Sequence, residues 1–156
     1  MKIALDASVL VKGLDNSEED HDKARELFDS ILRKEILTTW SVWSFLEIQR
    51  ALVKKGFQDP DEARLEIEEL ARLGDVELIE VNEVIRNFAL RFIKDLGLYA
   101  ADSVHLATAV VSGCNILISE DKHLNKKKVK DHASKFDIEI IRLREFKPGS
   151  GTNMNN

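Results

Sequence analysis

Four carboxylates stand out in this sequence because their neighbours are apolar or because they follow a predicted strand. They are Asp6, Glu47, Asp102 and Asp121. Carboxylates that meet in one cleft repel each other, at a cost of about 4 kcal/mol for each close pair at an effective dielectric constant near 20. A hard cation would neutralise such a cluster, and oxygen ligands without a paired histidine or cysteine favour Mg²⁺ or Mn²⁺. A water on such an ion can attack a phosphodiester, while a second ion stabilises the leaving oxygen.

Each of these acids also has a structural alternative when it is taken singly. Asp6 could end a strand or cap the short helix that follows it. Asp102 suits the positive first turn of a helix, and Glu47 could pair with a basic residue one turn further along its own helix. Asp121 could cap a following helix. The functional interpretation therefore depends on whether the four acids meet.

The elements that must position these acids alternate between short β-rich runs and longer amphipathic runs. The hydrophobic pattern predicts strands at 2–5, 36–39, 76–81, 115–119 and 138–143. It predicts helices at 8–13, 18–34, 41–55, 60–73, 84–96 and 100–112. This alternation predicts an α/β fold, a three-layer α/β/α sandwich with a central parallel sheet. Ligands of such folds bind at the carboxyl ends of the strands, where Asp6 and Asp121 would both lie.

Length and composition limit the classes of protein that fit this sequence. The 156 residues suit a single domain, which we expect to span 1–146, followed by a flexible tail at 147–156. One cysteine excludes a disulfide framework or a zinc finger within the chain. The net charge of −5 argues against a general nucleic-acid coat protein, although it allows a local basic patch.

The sequence carries no pattern of a secreted or membrane-spanning protein. The apolar run at 1–11 contains Asp6 and lacks a small-residue cleavage site, so it does not read as a signal peptide. No stretch approaches about 18 uncharged apolar residues. We therefore expect a soluble protein in the reducing cytoplasm.

Four stretches of the chain resemble the motifs of PIN-domain ribonucleases, and in particular of VapC-type toxins. They are LDASVL at 5–10, FLEI at 45–48, ADSVHLATA at 101–109 and LISEDKHL at 117–124. No single stretch is specific. All four, however, occur in the order and in the predicted elements of that family, and the resemblance covers the chain from residue 1 to about 144.

This resemblance implies a fold, an activity and a role for each site residue. It implies the strand order 3-2-1-4-5 and hydrolysis of RNA with Mg²⁺ or Mn²⁺. Asp6, Asp102 and Asp121 would bind the main ion, while Glu47 would bind a second ion or orient the attacking water. Ser8 and Ser119 would support the carboxylates through hydrogen bonds. The implied partners are an RNA substrate, an antitoxin protein and a second copy of the chain in a homodimer.

Several residues near these motifs have two interpretations. Glu120 adds a carboxylate beside Asp121, and the register of the motif favours Asp121 as the ligand. A basic cluster that includes Lys122, Lys126 and Lys127 could bind an RNA backbone, although a solvated helix end is the favoured interpretation. His105, one turn after Asp102, could hydrogen-bond a carboxylate, although a packed interior histidine is the favoured interpretation. Trp40 and Trp43 are expected in the core or in a protein interface rather than against a base.

Three other functions compete with the nuclease interpretation. The first is a PIN-like module that binds RNA or protein without cleaving it, in which Glu47 or Asp121 serves structure alone. The second is a receiver-type signalling domain, but it would need a pair of acids after the first strand, where Asp6 stands alone. The third is a DNA flap nuclease, for which the chain is too short to form a threading arch.

Overall fold

The sheet has five parallel strands in the order β3-β2-β1-β4-β5, which confirms the predicted α/β fold and strand order. The structure is a computed structural model, and it describes residues 1–148. The strands are β1 (Ile3–Leu5), β2 (Thr38–Ser41), β3 (Val76–Ile79), β4 (Ile116–Ile118) and β5 (Glu139–Ile141). The central position of β1, between β2 and β4, places the residue after β1 near the middle of the carboxyl edge.

Seven α-helices cover this sheet in the described part of the chain. They are α1 (Ala7–Lys12), α2 (His21–Leu32), α3 (Ser44–Lys54), α4 (Pro60–Leu73), α5 (Glu83–Leu96), α6 (Ala100–Val111) and α7 (Lys127–Ser134). A short 3₁₀ turn, Leu143–Glu145, follows β5. No helix among the described residues is long and apolar enough to cross a membrane.

The alternation of side chains along the strands divides the core into two layers. Ile3 and Leu5 of β1 face a cluster built with α1, α2, α3 and α4, which also contains Trp40 of β2. Ala4, between them in β1, faces the opposite cluster, which contains residues of α5, α6 and α7. Because successive side chains of a strand point to opposite faces of the sheet, both faces of β1 are buried. The result is the three-layer arrangement that the sequence predicted.

Several predicted element boundaries differ from the structure. The second strand is Thr38–Ser41 instead of 36–39, because Thr38 to Ser41 pair in register with β3. The following helix therefore begins at Ser44 instead of at 41. The helix predicted at 18–34 begins at His21, because Asp20 before it adopts a left-handed backbone with φ 63°. The predicted last strand, 138–143, is shortened to Glu139–Ile141 by the 3₁₀ turn.

The domain boundary at 146 stays a prediction. Phe146 is buried in the core, with 3% of its surface exposed, so the chain up to that residue is part of the packed fold. Most of the predicted tail at 147–156 lies outside the described residues, which end at 148.

A substitution at Gly13 tests the packing of α1 against α2. A Cβ atom at Gly13 would overlap the ring of Phe28, while the backbone of Gly13, with φ −72°, suits any residue. We therefore expect Gly13→Ala to lower the free energy of unfolding by about 1–3 kcal/mol through overpacking alone. Chemical denaturation measures this loss. The double variant Gly13→Ala/Phe28→Leu should lose less than the sum of the single variants, and strict additivity would contradict the steric explanation.

Candidate active site

Asp6 lies at the carboxyl end of the central strand, and two hydroxyl groups fix its side chain. Its Oδ2 atom accepts hydrogen bonds from Ser8 Oγ at 3.0 Å and from Ser119 Oγ at 2.5 Å. Its backbone N–H donates to Ile118 O at 3.1 Å, which continues the pairing of β1 with β4. Asp6 makes no side-chain capping bond to α1 and is 3% exposed. The structure thus brings both predicted serines to the first predicted acid.

Asp121 lies in a loop after β4 that hydrogen bonds hold in place. Its Oδ1 atom accepts from the N–H groups of His123 at 2.6 Å and Leu124 at 3.3 Å, so it also caps the turn that follows. Its own N–H donates to Ser119 Oγ at 3.0 Å. The side-chain amide of Asn125 donates to the carbonyl oxygens of Ser119 and Asp121, at 2.8 Å in each case. These contacts fix the position of the Asp121 carboxylate.

Glu120 forms a different set of contacts from those of Asp121. One carboxylate oxygen accepts from the N–H of Leu143 at 2.8 Å. The other lies 3.7 Å from Arg142 Nη1 and 4.0 Å from Lys12 Nζ. Glu120 therefore joins the β4 loop to the 3₁₀ turn and has cations close by. This arrangement favours Asp121, rather than Glu120, as the acid of the cluster.

Asp102 is almost completely buried in the first turn of α6, with 7% of its surface exposed. Burial, followed by the negative charges of Asp121 and Asp6, raises the pKa of Asp102 to about 7. Glu47 contributes to the rise, and His105 opposes it. Side chains from four separate segments of the chain are thus close enough to perturb one another electrostatically.

His105, one turn after Asp102 on α6, contacts two of the acids. Its Nε2 atom contacts the Glu47 carboxylate and lies 3.2 Å from Asp6 Oδ1. Burial acts to lower the pKa of His105, but the charges of Asp6, Glu47 and Asp102 outweigh it and raise that pKa to about 9. Glu47 lies in the first turn of α3 rather than in its middle, and its partner is this imidazole across the cleft.

His105 combines the two interpretations that the sequence left open. It is an interior histidine, only 2% exposed, and it also contacts two carboxylates. The spacing after Asp102 indicated that its side chain lies on the face of the acids, but the identity of its partners, Glu47 and Asp6, depends on tertiary packing. One ligand atom from each of Asp6, Glu47 and His105 lies within 4.8 Å of the others, so an imidazole adjoins the expected carboxylates.

The predicted acids line one cavity of about 440 Å³ at the carboxyl edge of the sheet. Its walls carry six carboxylates, from Asp6, Glu18, Glu47, Asp102, Glu120 and Asp121. The cationic side chains on its walls are Lys12 and Lys55. This excess of oxygen donors and negative charge, together with the raised pKa of Asp102, fits a hard divalent cation.

The predicted basic cluster lies outside this cavity. Lys122, Lys126 and Lys127 are exposed, and Lys127 Nζ pairs with Asp131 Oδ2 at 2.5 Å on α7. His123, between Lys122 and the buried Leu124, contacts the exposed ring of Tyr99 edge to face, with 5.1 Å between the ring centroids. These lysines therefore lie outside the cleft, whereas Lys12 and Lys55 line it.

Trp40 and Trp43 have different environments. Trp40 is completely buried in the core, where its indole N–H donates to Thr38 Oγ1 at 3.0 Å. Trp43 is 41% exposed next to the first turn of α3. The core prediction thus holds for Trp40, and Trp43 is available to a partner.

The family model of the PIN domain matches residues 3–130, which include all four acids. The chain belongs to the PIN domain family. The resemblance expected from the sequence motifs is therefore confirmed. No curated protein sequence gives a significant match to this PIN domain.

Solved structures show the same fold at low sequence identity. VapC20 from Mycobacterium tuberculosis, described as a toxin that cleaves the sarcin–ricin loop, superposes with a TM-score of 0.63 at 15% identity, covering 77% of this chain and 90% of that one. VapBC2 from Rickettsia felis, bound to a DNA fragment from its promoter, gives 0.63 at 10% identity over 91% and 98%. VapBC-1 from nontypeable Haemophilus influenzae gives 0.59 at 18% identity over 92% and 99%.

The repulsion among the acids predicts that neutralising Asp102 stabilises the metal-free protein. Because the pKa of Asp102 is raised to about 7, the folded state loses stability as the pH rises from about 4 to 7, and the loss persists above pH 7. In EDTA at pH 8, Asp102→Asn should raise the free energy of unfolding by about 1–2 kcal/mol, with a smaller gain at pH 5. Urea denaturation at both pH values measures this.

The matched control for that experiment is Asp95→Asn, at an exposed position of α5. It should leave stability unchanged at both pH values. A loss of stability in Asp102→Asn at pH 8 would show that the carboxylate forms favourable contacts and is not under electrostatic strain.

Proposed function

We propose that this PIN domain is a divalent-metal-dependent endoribonuclease that hydrolyses RNA phosphodiesters. The observation that carries the proposal is the convergence of Asp6, Glu47, Asp102 and Asp121 on one cavity, with Asp102 perturbed by the other three. A buried cluster of like charges is unfavourable for folding alone, so its presence in a cleft is best explained by a ligand of opposite charge.

Each acid has a proposed role toward the metal. Asp6, Asp102 and Asp121 would hold the main Mg²⁺ or Mn²⁺, and Glu47 would hold a second ion or orient the attacking water. A bound ion of this kind supplies an activated water and neutralises charge that develops on the phosphate. The contacts of Asp6 and Asp121 with hydroxyl and N–H groups keep their carboxylates in place, which is the ordering that a metal site needs.

The remaining polar residues of the site would orient these acids. Ser8 and Ser119 fix one oxygen of Asp6, Oδ2, by donating hydrogen bonds to it. His105 holds Glu47 against the wall formed by α6. We assign His105 as a positioning residue for Glu47, because its Nε2 atom contacts that carboxylate and is only 3.2 Å from Asp6.

The exposed lysines that follow Asp121 in the chain support RNA as the substrate. Lys122, Lys126 and Lys127 lie in and just after the loop that carries Asp121. They would attract the RNA backbone toward an acidic cleft, through contacts that weaken as salt concentration rises. This is a proposed role in binding, separate from catalysis.

The biological role that we propose is that of the toxin of a toxin–antitoxin pair, acting in the cytoplasm. The fold shared with VapC20 and VapBC structures supports it. An antitoxin or a second copy of the chain would cover exposed apolar side chains of Trp43, just before α3, and of Leu46 and Val53 on α3.

One observation favours an alternative, a PIN module that binds RNA or protein without cleaving it. The Glu47 carboxylate is already paired with His105, so Glu47 could serve structure alone. Under this alternative the protein would bind RNA and leave it intact with any divalent ion.

RNA cleavage by the full chain tests the proposed function. We expect labelled single-stranded RNA to be cleaved with Mg²⁺ or Mn²⁺ and to stay intact in EDTA. Asp6→Asn and Asp102→Asn should each reduce the rate by at least about 100-fold, because each removes a charged ligand of the ion. Asp95→Asn is the matched control and should cleave at the wild-type rate. Binding without cleavage would favour the alternative, and cleavage that survives both substitutions would refute the assigned site.

Substitution of His105 tests whether this residue positions Glu47 or only stabilises the fold. We expect His105→Ala to lower kcat by about 10–100-fold, as is usual when a group that orients a metal ligand is removed. His105→Gln should recover part of the loss, because its amide N–H can donate to Glu47. Steady-state kinetics with Mn²⁺, supported by thermal unfolding of each variant, make the comparison. Equal kcat values for Ala and Gln, or no loss in either, would exclude the positioning role.

A further inference from the structure

The cleft has a cationic side that the four-acid site does not use. Lys12 ends α1, and Lys55 directly follows α3. Both line the same cavity as the acids. Their side chains are only 13% and 31% exposed, whereas the side chain of Lys127 is 88% exposed. Two lysine side chains that are partly covered thus adjoin a proposed site for phosphodiester cleavage.

Glu18 lies between these two lysines. Its Oε1 atom contacts Lys55 Nζ, and its Oε2 atom lies 3.5 Å from Lys12 Nζ. The lysines lower the pKa of the Glu18 carboxyl, with the hydrogen bond from Lys55 as the largest contribution. One carboxylate therefore bridges two cations and occupies the space between them.

Each lysine also has an anchor that does not involve Glu18. Lys12 Nζ donates to the backbone carbonyl of Glu19 at 2.8 Å, and Lys55 Nζ donates to Asp15 Oδ2 at 2.9 Å. If Glu18 turned away, both ammonium groups would stay in place and each would have a free donor. The side chain of Glu18 is 31% exposed, and Glu18 lies in the connection between α1 and α2. Its carboxylate can therefore turn toward solvent.

We propose that Lys12 and Lys55 form a subsite for an RNA backbone phosphate next to the scissile one, and that Glu18 fills this subsite in the free protein. The inference rests on the proposed ribonuclease function, and it adds residues that bind the RNA backbone. A phosphodiester, like the Glu18 carboxylate, presents two oxygens that share one negative charge, and it can bridge the same two cations.

The position of Lys12 connects this subsite with the metal side of the cleft. Its Nζ atom lies 4.0 Å from Glu120 Oε2, and Glu120 precedes Asp121 in the chain. The subsite is therefore continuous with the acidic cluster in one cavity. Partly exposed ion pairs contribute little to folding, so displacing Glu18 by a phosphate would cost the fold little.

The test compares RNA binding by charge variants of the full chain. Fluorescence anisotropy follows a labelled single-stranded oligoribonucleotide in EDTA, where it stays intact. Lys12→Ala and Lys55→Ala should each weaken binding by about 3–10-fold and reduce the slope of log K against log salt by about 0.7. Glu18→Gln should have the opposite effect and tighten binding by about 3–10-fold, since it frees both lysines.

Neighbouring residues provide matched controls. Glu19→Gln makes the same charge change at an exposed position and keeps the backbone carbonyl that anchors Lys12. Lys54→Ala removes an exposed charge beside Lys55. Both should bind RNA within about twofold of wild type, and the double variant Glu18→Gln/Lys55→Ala should lose the gain. Thermal unfolding checks that every variant is folded.

The outcomes show whether the subsite proposal fails alone or together with the proposed ribonuclease function. If wild type cleaves RNA but Glu18→Gln binds no more tightly than Glu19→Gln, the subsite is wrong and the ribonuclease function stands. The same conclusion follows if Lys12→Ala and Lys55→Ala bind RNA like Lys54→Ala. If wild type neither binds nor cleaves RNA, both proposals are wrong.

Discussion

Repulsion among carboxylates at the end of a parallel sheet is the constraint around which this site is built. Parallel strands bring their carboxyl ends to one edge, so Asp6 after β1 and Asp121 after β4 necessarily approach each other. Asp102 and Glu47 add charge from α6 and α3. Burial and the acidic neighbours raise the pKa of Asp102 to about 7. The fold offsets part of this repulsion with the imidazole of His105, and a divalent cation would offset the remainder.

The two layers of the core allow the fold to tolerate this acidic site. The short strands are buried on both faces, and Ile3, Ala4 and Leu5 leave almost no exposed surface. Burial of apolar side chains supplies the stability that the acidic cleft removes. It also keeps the strand ends rigid, so that Ser8 and Ser119 meet one oxygen of Asp6. The cleft carries acids at the ends of β1 and β4 and lysines at the ends of α1 and α3. Such a cleft suits an anionic ligand that a cation and the lysines would bind together.

Local patterns in the sequence predicted the acids but not all of their partners. Asp6 and Asp121 were identifiable because each follows an apolar strand, and Asp102 because it interrupts an apolar helix. The contact of His105 with Glu47, 58 positions earlier in the chain, depends on how α6 packs across from α3. The approach of Lys55 to Glu18 likewise depends on tertiary packing rather than on spacing. The start of α3 was misjudged because pairing of β2 with β3 extends the strand to Ser41.

The central claim is that the predicted acids form one metal centre, and a crystal structure grown with MnCl₂ tests it most directly. Manganese gives an anomalous signal that locates the ion without reference to any assumed ligand. We expect an anomalous peak in the cavity, within coordination distance of carboxylate oxygens of Asp6, Asp102 and Asp121. A well-ordered cleft without such a peak at saturating Mn²⁺, or a peak held by other residues, would contradict this claim.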